Sequence, residues 1–337
     1  MLLSVDFLSP PHSGRVLWPD LSAMRGASHT RRSNIGRQIK LAWSLLKTRP
    51  FRAQFNAVLD RHSHWQAVFA RQAKSFEPLV QSFMDRRYNV AQRFWHLQHD
   101  LATATQVFGL ATAQRIAGRE RVVLWTLAGG ASVTLGLNEV CQREGMWTLA
   151  LHTAQGVRVC QLSFSFLLRN RLMIGSVQGA PTQDAAAMQG IRELTHTAQG
   201  LRPPYLLVEV LRVLCRRWGQ ALAGVDPQHH VKKKWHQRAL KVSFDYRAFW
   251  ADLGGHQQPE EIWALPTQRA PRDLSDVPAK RRATYKRRAL LLAALPAQLQ
   301  NLPGVALVAG CRRPGASAQS AKVKCPAECS AAALDGA

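Results

Sequence analysis

The run Gly200-Leu201-Arg202-Pro203-Pro204-Tyr205 leads through an apolar segment ending near Trp218 into Ala221-Leu222-Ala223-Gly224-Val225-Asp226, and its reading decides the fold. Leu207, Val210, Leu211, Leu214 and Trp218 recur at offsets of three and four, the period of a helix with one buried face. Pro203 and Pro204 suit a first helical turn, where a missing N–H has no intrahelical partner to lose. Arg202 then stands at the helix N-terminus, where unpaired amides and the helix dipole favour an anion; the alternative is a solvated or salt-bridged loop arginine. The short run from Ala221 to Val225 reads as a strand. Strand, helix, strand implies a crossover and a parallel neighbour in the sheet.

Working upstream, Trp147, Leu149 and Leu151 alternate with polar or small residues, and Cys160, Leu162, Phe164 and Phe166 do the same after Ala154-Gln155-Gly156. That is a hairpin with one apolar face. Arg171 to Gln178 supplies a third strand, closed by Gly179-Ala180-Pro181, and Asp184 to Thr197 a helix with Asp184 as N-cap. Before Gly129-Gly130 the period is helical: Ile39, Ala42, Trp43 and Leu46 share a face, Phe51 to Phe69 continues the pattern, and one helix is expected from about Pro78 to Leu110. Downstream, Phe244 to Leu253 reads as a short helix stopped by Gly254-Gly255, and Ile262 to Pro266 as a short strand. From Lys280 to Arg288 six of nine residues are basic, and an apolar run follows, as expected of a helix on a membrane surface or packed on the sheet.

The expected fold class is α/β (α+β), a helical region followed by a mixed, mainly antiparallel sheet carrying helices. The expected organisation is a flexible leader over 1–34, a helical region over 35–128, a mixed α/β domain over 129–298 and a disordered tail over 299–337.

The chain has 337 residues, enough for a large core, and 45 lysines and arginines against 21 acids, a net charge of +24. Such a surface attracts nucleic acid, an anionic membrane or a phosphate-bearing ligand. Nucleic-acid binding ranks last, because the basic residues are dispersed and no zinc finger or RNA-binding signature is present. The six cysteines show no C-x-x-C spacing, which suits buried thiols in a reducing compartment. The pairs His62/His64 and His96/His99 lack the spacing of metal ligands, so no metal is expected. No stretch reaches the roughly 20 apolar residues of a spanning helix, so the chain is expected to be soluble, with peripheral attachment to a membrane as the alternative.

Several spaced blocks resemble, in one order, the bacterial VirK/YbjX family: Ser163-Phe164-Ser165-Phe166, Ile174 to Gly179, Gly200 to Pro203, Val225 to His230, Tyr246 to Gly255 and Ala279 to Arg288. The resemblance implies a Gram-negative protein associated with virulence and with resistance to bacteriocins or antimicrobial peptides, and so with envelope maintenance from the cytoplasmic side, in the cytoplasm or peripheral on the inner membrane. It supplies no catalytic residue. The order of elements is similar to that of GNAT acyltransferases, in which amides at a helix start hold acyl-CoA pyrophosphate; Gly200, Leu201 and Arg202 take that position here. In an acyltransferase-like enzyme, His230 and Asp226 are the candidate proton acceptors and Tyr246 the candidate acid, with Gln178, His196 and His229 as candidate contacts to an anionic ligand or envelope precursor. The bland alternative for His230 is a strand-end cap or a backbone hydrogen bond. A non-catalytic adaptor docked through Lys232 to Lys234 and Lys280 to Arg288 on anionic lipid is the competing expectation.

Overall fold

A computed structural model describes residues 16–26, 35–180, 185–232, 244–269, 273–275 and 277–299. The leader apart from 16–26, the tail beyond Leu299, the proposed N-cap Asp184, and Lys233 and Lys234 lie outside the described residues. Five strands form an antiparallel meander: β1 (Val122–Thr126), β2 (Ser132–Leu137), β3 (Trp147–His152), β4 (Arg158–Leu167) and β5 (Arg171–Gly179). β6 (Ala221–Gly224) lies parallel to β5, and two short antiparallel strands, β7 (His256–Gln257) and β8 (Trp263–Leu265), complete the order β1-β2-β3-β4-β5-β6-β8-β7. The mixed, mostly antiparallel α/β architecture is the one expected. β1, β2 and β7 are additions to it. Gly129 and Gly130, both at positive φ, turn β1 back onto β2, a conformation that only glycine adopts without strain.

The hairpin residues Trp147, Phe164 and Phe166 face helices. Phe108 of α6 (Val90–Phe108) meets Trp147 and Phe166 at ring separations of 5.3 and 5.8 Å, and Trp218 of α9 (Pro203–Trp218) meets Phe166 at 5.6 Å. Each such fully buried side chain contributes about 1.5–3 kcal/mol. Asp100 of α6 is buried beneath this layer, its Oδ1 accepting the Trp147 indole N–H at 2.6 Å and the Phe166 amide at 2.8 Å. α7 (Leu110–Ala117) follows α6, and α8 (Ala185–Thr197) precedes α9, which ends on Gly219 in the left-handed region.

Two expected long helices are broken. The segment Phe51 to Phe69 divides into α3 (Arg52–Arg61), a 3-10 turn (Ser63–Trp65) and α4 (Gln66–Arg71), because His62 leaves the helical region at φ −121°, ψ 58°. Trp65 thereby turns its indole toward Leu101 O at 3.0 Å. The helix expected from Pro78 to Leu110 stops after α5 (Glu77–Val80) and restarts at α6, whose Asn89 N-cap and Gln92 form a reciprocal capping box. Between them Met84 sits at φ 57°, and Phe83 belongs to a loop. Residues 16–26, within the expected leader, hold α1 (Leu21–Gly26) and Trp18, which stacks among Phe55, Phe76 and Phe94. The basic helix α11 (Ala279–Gln298) packs against α9 and buries only Leu295.

Candidate functional site

β5 and β6 pair in parallel only from Arg171/Ala221 to Ile174/Gly224. Beyond that point they part, and side chains close the gap. The Val177 amide donates to the Tyr246 hydroxyl at 3.1 Å, and His230 Nε2 lies 2.9 Å from Gly175 O. Tyr246 begins α10 (Tyr246–Asp252), capped by Asp245, which accepts from the Arg247 and Ala248 amides. In the same helix Trp250 lies flat on Gly224, where a Cβ would stand 2.5 Å from its ring.

A buried polar cluster sits beside the gap. Glu144 Oε2 accepts from Lys232 Nζ at 2.9 Å and from Gln178 Nε2 at 3.0 Å, and its Oε1 stands 3.4 Å from His230 Nε2. Glu144 ends a 3-10 turn (Gln142–Glu144) held by Asn138, whose amide group makes four hydrogen bonds to the backbone of residues 140, 141 and 145. The turn lies so close to β5 that a Cβ on Gly175 would stand 2.0 Å from Glu144 O. Arg143 ties three loops, bonding Gln81, Ser82 and Val231 O.

The protonation pattern follows from the donors. Lys232 N donates to His230 Nδ1 at 3.1 Å, so that nitrogen carries a lone pair and Nε2 carries the proton that it gives to Gly175 O. Both nitrogens of His230 are thus engaged with the backbone, the bland alternative among the sequence expectations. Burial raises the Tyr246 phenol above its usual range, with a smaller push from Glu144, so it stays neutral near pH 7. Lys232 is about one-third exposed and forms the open side of the cluster; the Glu144 side chain is almost wholly enclosed. A carboxylate, an ammonium and an imidazole in one low-dielectric site can hold an anion or move a proton.

The structure therefore brings Gln178, His230 and Tyr246 together. Asp226 and His229 lie alongside in a second network. Asp226 accepts from the Gln228 amide at 2.7 Å, Gln257 Nε2 at 3.0 Å and Trp263 Nε1 at 3.3 Å, while His229 Nε2 is 2.7 Å from Glu261. Arg87 links Glu261 to the buried Asp85. Gly200, Leu201, Arg202 and His196 form a separate group at the α8–α9 turn. Gly200 has φ 76° and donates to Thr195 O; Leu201 is buried; His196 and Arg202 are exposed. The Arg202 guanidinium makes no hydrogen bond or ion pair among the described residues, whereas Arg288 of α11 covers Gly200 and donates to Gln199 O. Glu144, Asn138 and Arg143 escaped the sequence reading. Their signal was the polar connection Asn138 to Gly145 between two alternating runs, the kind of loop that carries functional side chains.

A second surface lies on α2 (Ile35–Lys47). Leu45 is buried and Leu41 packs inward, while Ile35, Ile39, Trp43 and Leu46 form an outward stripe, exposed by 74, 65, 58 and 42%. The apolar face noted in the sequence is thus the outer one. Lys40, Lys47 and Arg49 are exposed along it, with Lys47 Nζ 5.5 Å from the Trp43 ring. Among the described residues no helix is long and apolar enough to cross a membrane.

Residues 30–301 match the family described as "Protein of unknown function (DUF535)". An uncharacterized protein of Haemophilus influenzae is 25% identical over 244 residues, covering 72% of this chain and 82% of its own length. The uncharacterized protein YbjX of Escherichia coli is 26% identical over 166 residues, 48% of this chain and 50% of YbjX. A Mannheimia haemolytica protein named "Membrane protein LapB" is 28% identical over 163 residues, 46% of this chain and 67% of its own. No solved structure matches. The chain belongs to the DUF535 family, the VirK/YbjX-like proteins of Gram-negative bacteria.

Proposed function

We propose that this protein works at the anionic surface of a membrane in the Gram-negative envelope, attached from the cytoplasmic side, and there takes an anionic ligand or envelope precursor. The α2 face carries this reading. An outward stripe of Ile, Ile, Trp and Leu flanked by cations has the composition of a helix lying at a lipid interface, and each basic residue adds on the order of 1 kcal/mol at an anionic surface. The +24 charge, the basic exposed α11 and the printed name of the Mannheimia relative support it. Free, buried Cys141, Cys160 and Cys215 suit a reducing compartment. Envelope maintenance and resistance to bacteriocins or antimicrobial peptides are the roles proposed for such attachment.

Vesicle flotation tests this. Binding is expected to rise with anionic lipid content and fall with salt. Changing Ile39 and Trp43 to Ser together removes two large, majority-exposed apolar groups, about 2 kcal/mol of interfacial burial and so about thirtyfold in partitioning. Binding unchanged by both the double variant and salt would overturn the reading.

A second reading, acyl transfer from acyl-CoA, draws on Glu144 and Arg202. With both His230 nitrogens engaged and Asp226 accepting three hydrogen bonds, Glu144 is the better placed proton acceptor. Arg202, whose guanidinium makes no hydrogen bond or ion pair among the described residues, would receive the pyrophosphate at the start of α9, since the Gly200 and Leu201 amides already donate to Thr195 O and Ala198 O. Equal coenzyme A binding by wild type and Arg202→Ala would remove this reading.

A further inference from the structure

Arg93 and Arg212 are the arginines buried among the described residues, and only one of them has an acid. Arg212, 2% exposed, pairs with Glu209 at 2.8 Å. Arg93 of α6, 9% exposed, makes no ion pair among the described residues; its Nε has no hydrogen-bond partner and its Nη1 reaches the Tyr88 carbonyl oxygen at 3.3 Å. Buried charges are ordinarily paired, because an unmatched one costs far more than a buried neutral group.

The surroundings deepen the mismatch. Arg143, half-buried, lies close enough to act on Arg93: burial, and after it Arg143, pull the Arg93 pKa from 12.5 down to about 10, and no carboxylate offsets them. Arg143 itself gives its hydrogen bonds to neutral acceptors, Gln81 Oε1 at 2.9 Å, Ser82 O and Oγ, and Val231 O at 3.2 Å. Glu77 is within electrostatic reach of Arg143 but forms no ion pair with it, and Asp85, the buried acid of the adjoining loop, is taken by Arg87 at 2.7 Å. Side chains on a helix lean back toward its start, and the Tyr88 contact places the Arg93 guanidinium there, against the positive end of the dipole of a 19-residue helix. The two guanidiniums thus grip opposite ends of one loop, Arg143 at Gln81 and Ser82 and Arg93 at Tyr88, and stand together at its neck.

We propose that Arg93 and Arg143 hold a phosphate dianion at the neck of the 81–88 loop. Two guanidinium forks match the oxygen edges of a tetrahedral anion, and two negative charges answer two positive ones. The start of α6, whose first-turn amides have no intrahelical acceptor, favours the same charge. Arg143, the less buried of the pair, gives the approach from solvent. The assignment does not rest on membrane attachment.

Calorimetric titration of the full chain with inorganic phosphate, methyl phosphate and chloride tests it. Phosphate is expected to bind the wild type about tenfold more tightly than it binds Arg93→Met. A dianion meets the rest of the +24 surface alike in both proteins, so the difference reads this site. The unfolding midpoint of the wild type should rise with phosphate, and that of the variant should rise less. Arg93→Lys keeps the charge and loses the fork; it should bind between the two, and it carries the comparison if the methionine variant does not fold. Methyl phosphate bound as well as phosphate marks the terminal group of a larger ligand, and phosphate bound alone marks the free ion. No binding of either, equal phosphate affinity in the wild type and the Arg93 variants, or chloride bound as tightly as phosphate would overturn the proposal.

Discussion

Replacing Asp100 with Asn should make this protein more stable at neutral and alkaline pH. The carboxyl is fully enclosed between α6 and the β3–β4 hairpin, and burial pushes its pKa from 3.8 up to about 7, against hydrogen bonds from Ser165, the Phe166 amide and the Trp147 indole. A carboxyl whose folded pKa is raised contributes its full stability below pH 4, where both states are protonated. That contribution is lost as pH rises through 7, because the unfolded chain ionises first. The gap of about three pH units corresponds to about 4 kcal/mol. Asn keeps the Oδ1 acceptor that Trp147 and Phe166 use and carries no charge at any pH. Urea unfolding of both proteins, followed by tryptophan fluorescence from pH 4 to 8, isolates the effect, since every other titrating group is common to the two. The stability of the variant relative to wild type should climb by about 4 kcal/mol across that range. Parallel curves, or a variant less stable at pH 8, would refute the enclosure of an ionisable carboxyl in the core.

Gly175→Ala should cost at least about 1–3 kcal/mol in urea unfolding, because its Cβ would meet Glu144 backbone that cannot rotate away, and overpacking of this kind forces the chain to move. Tyr246→Phe strips the Val177 amide of its buried acceptor and should cost about 1–3 kcal/mol, measured the same way; no loss would place that amide against another acceptor.

Legibility in the sequence followed the locality of each signal. α9 was visible because Leu207, Val210, Leu211, Leu214 and Trp218 carry a helical period within one segment, and β3 and β4 because alternation is equally local. The breaks in the helical region were not, since Met84 at positive φ has no sequence signature and the Asn89–Gln92 capping box was read through as helix interior. On α2 the period marked an apolar face, but Leu41 and Leu45 form another, and only packing decides which one turns inward. Of the candidate site, His230 and Gln178 could be named from their place at or just beyond a strand's carboxyl end, and Tyr246 as a candidate acid at the start of a short helix. Glu144 could not, because its partners Gln178 and Lys232 lie 34 and 88 residues away and the polar connection Asn138 to Gly145 marks a loop without marking which of its side chains turns inward.

Where β5 outruns β6, a phenol and an imidazole occupy positions that a neighbouring strand's amides and carbonyls would otherwise fill. Separating two paired strands breaks several bonds at once, whereas a side chain lets go by turning about its own torsions. The sheet therefore has a seam at this end, held by single side chains where the ladders on either side are held by rows of backbone bonds.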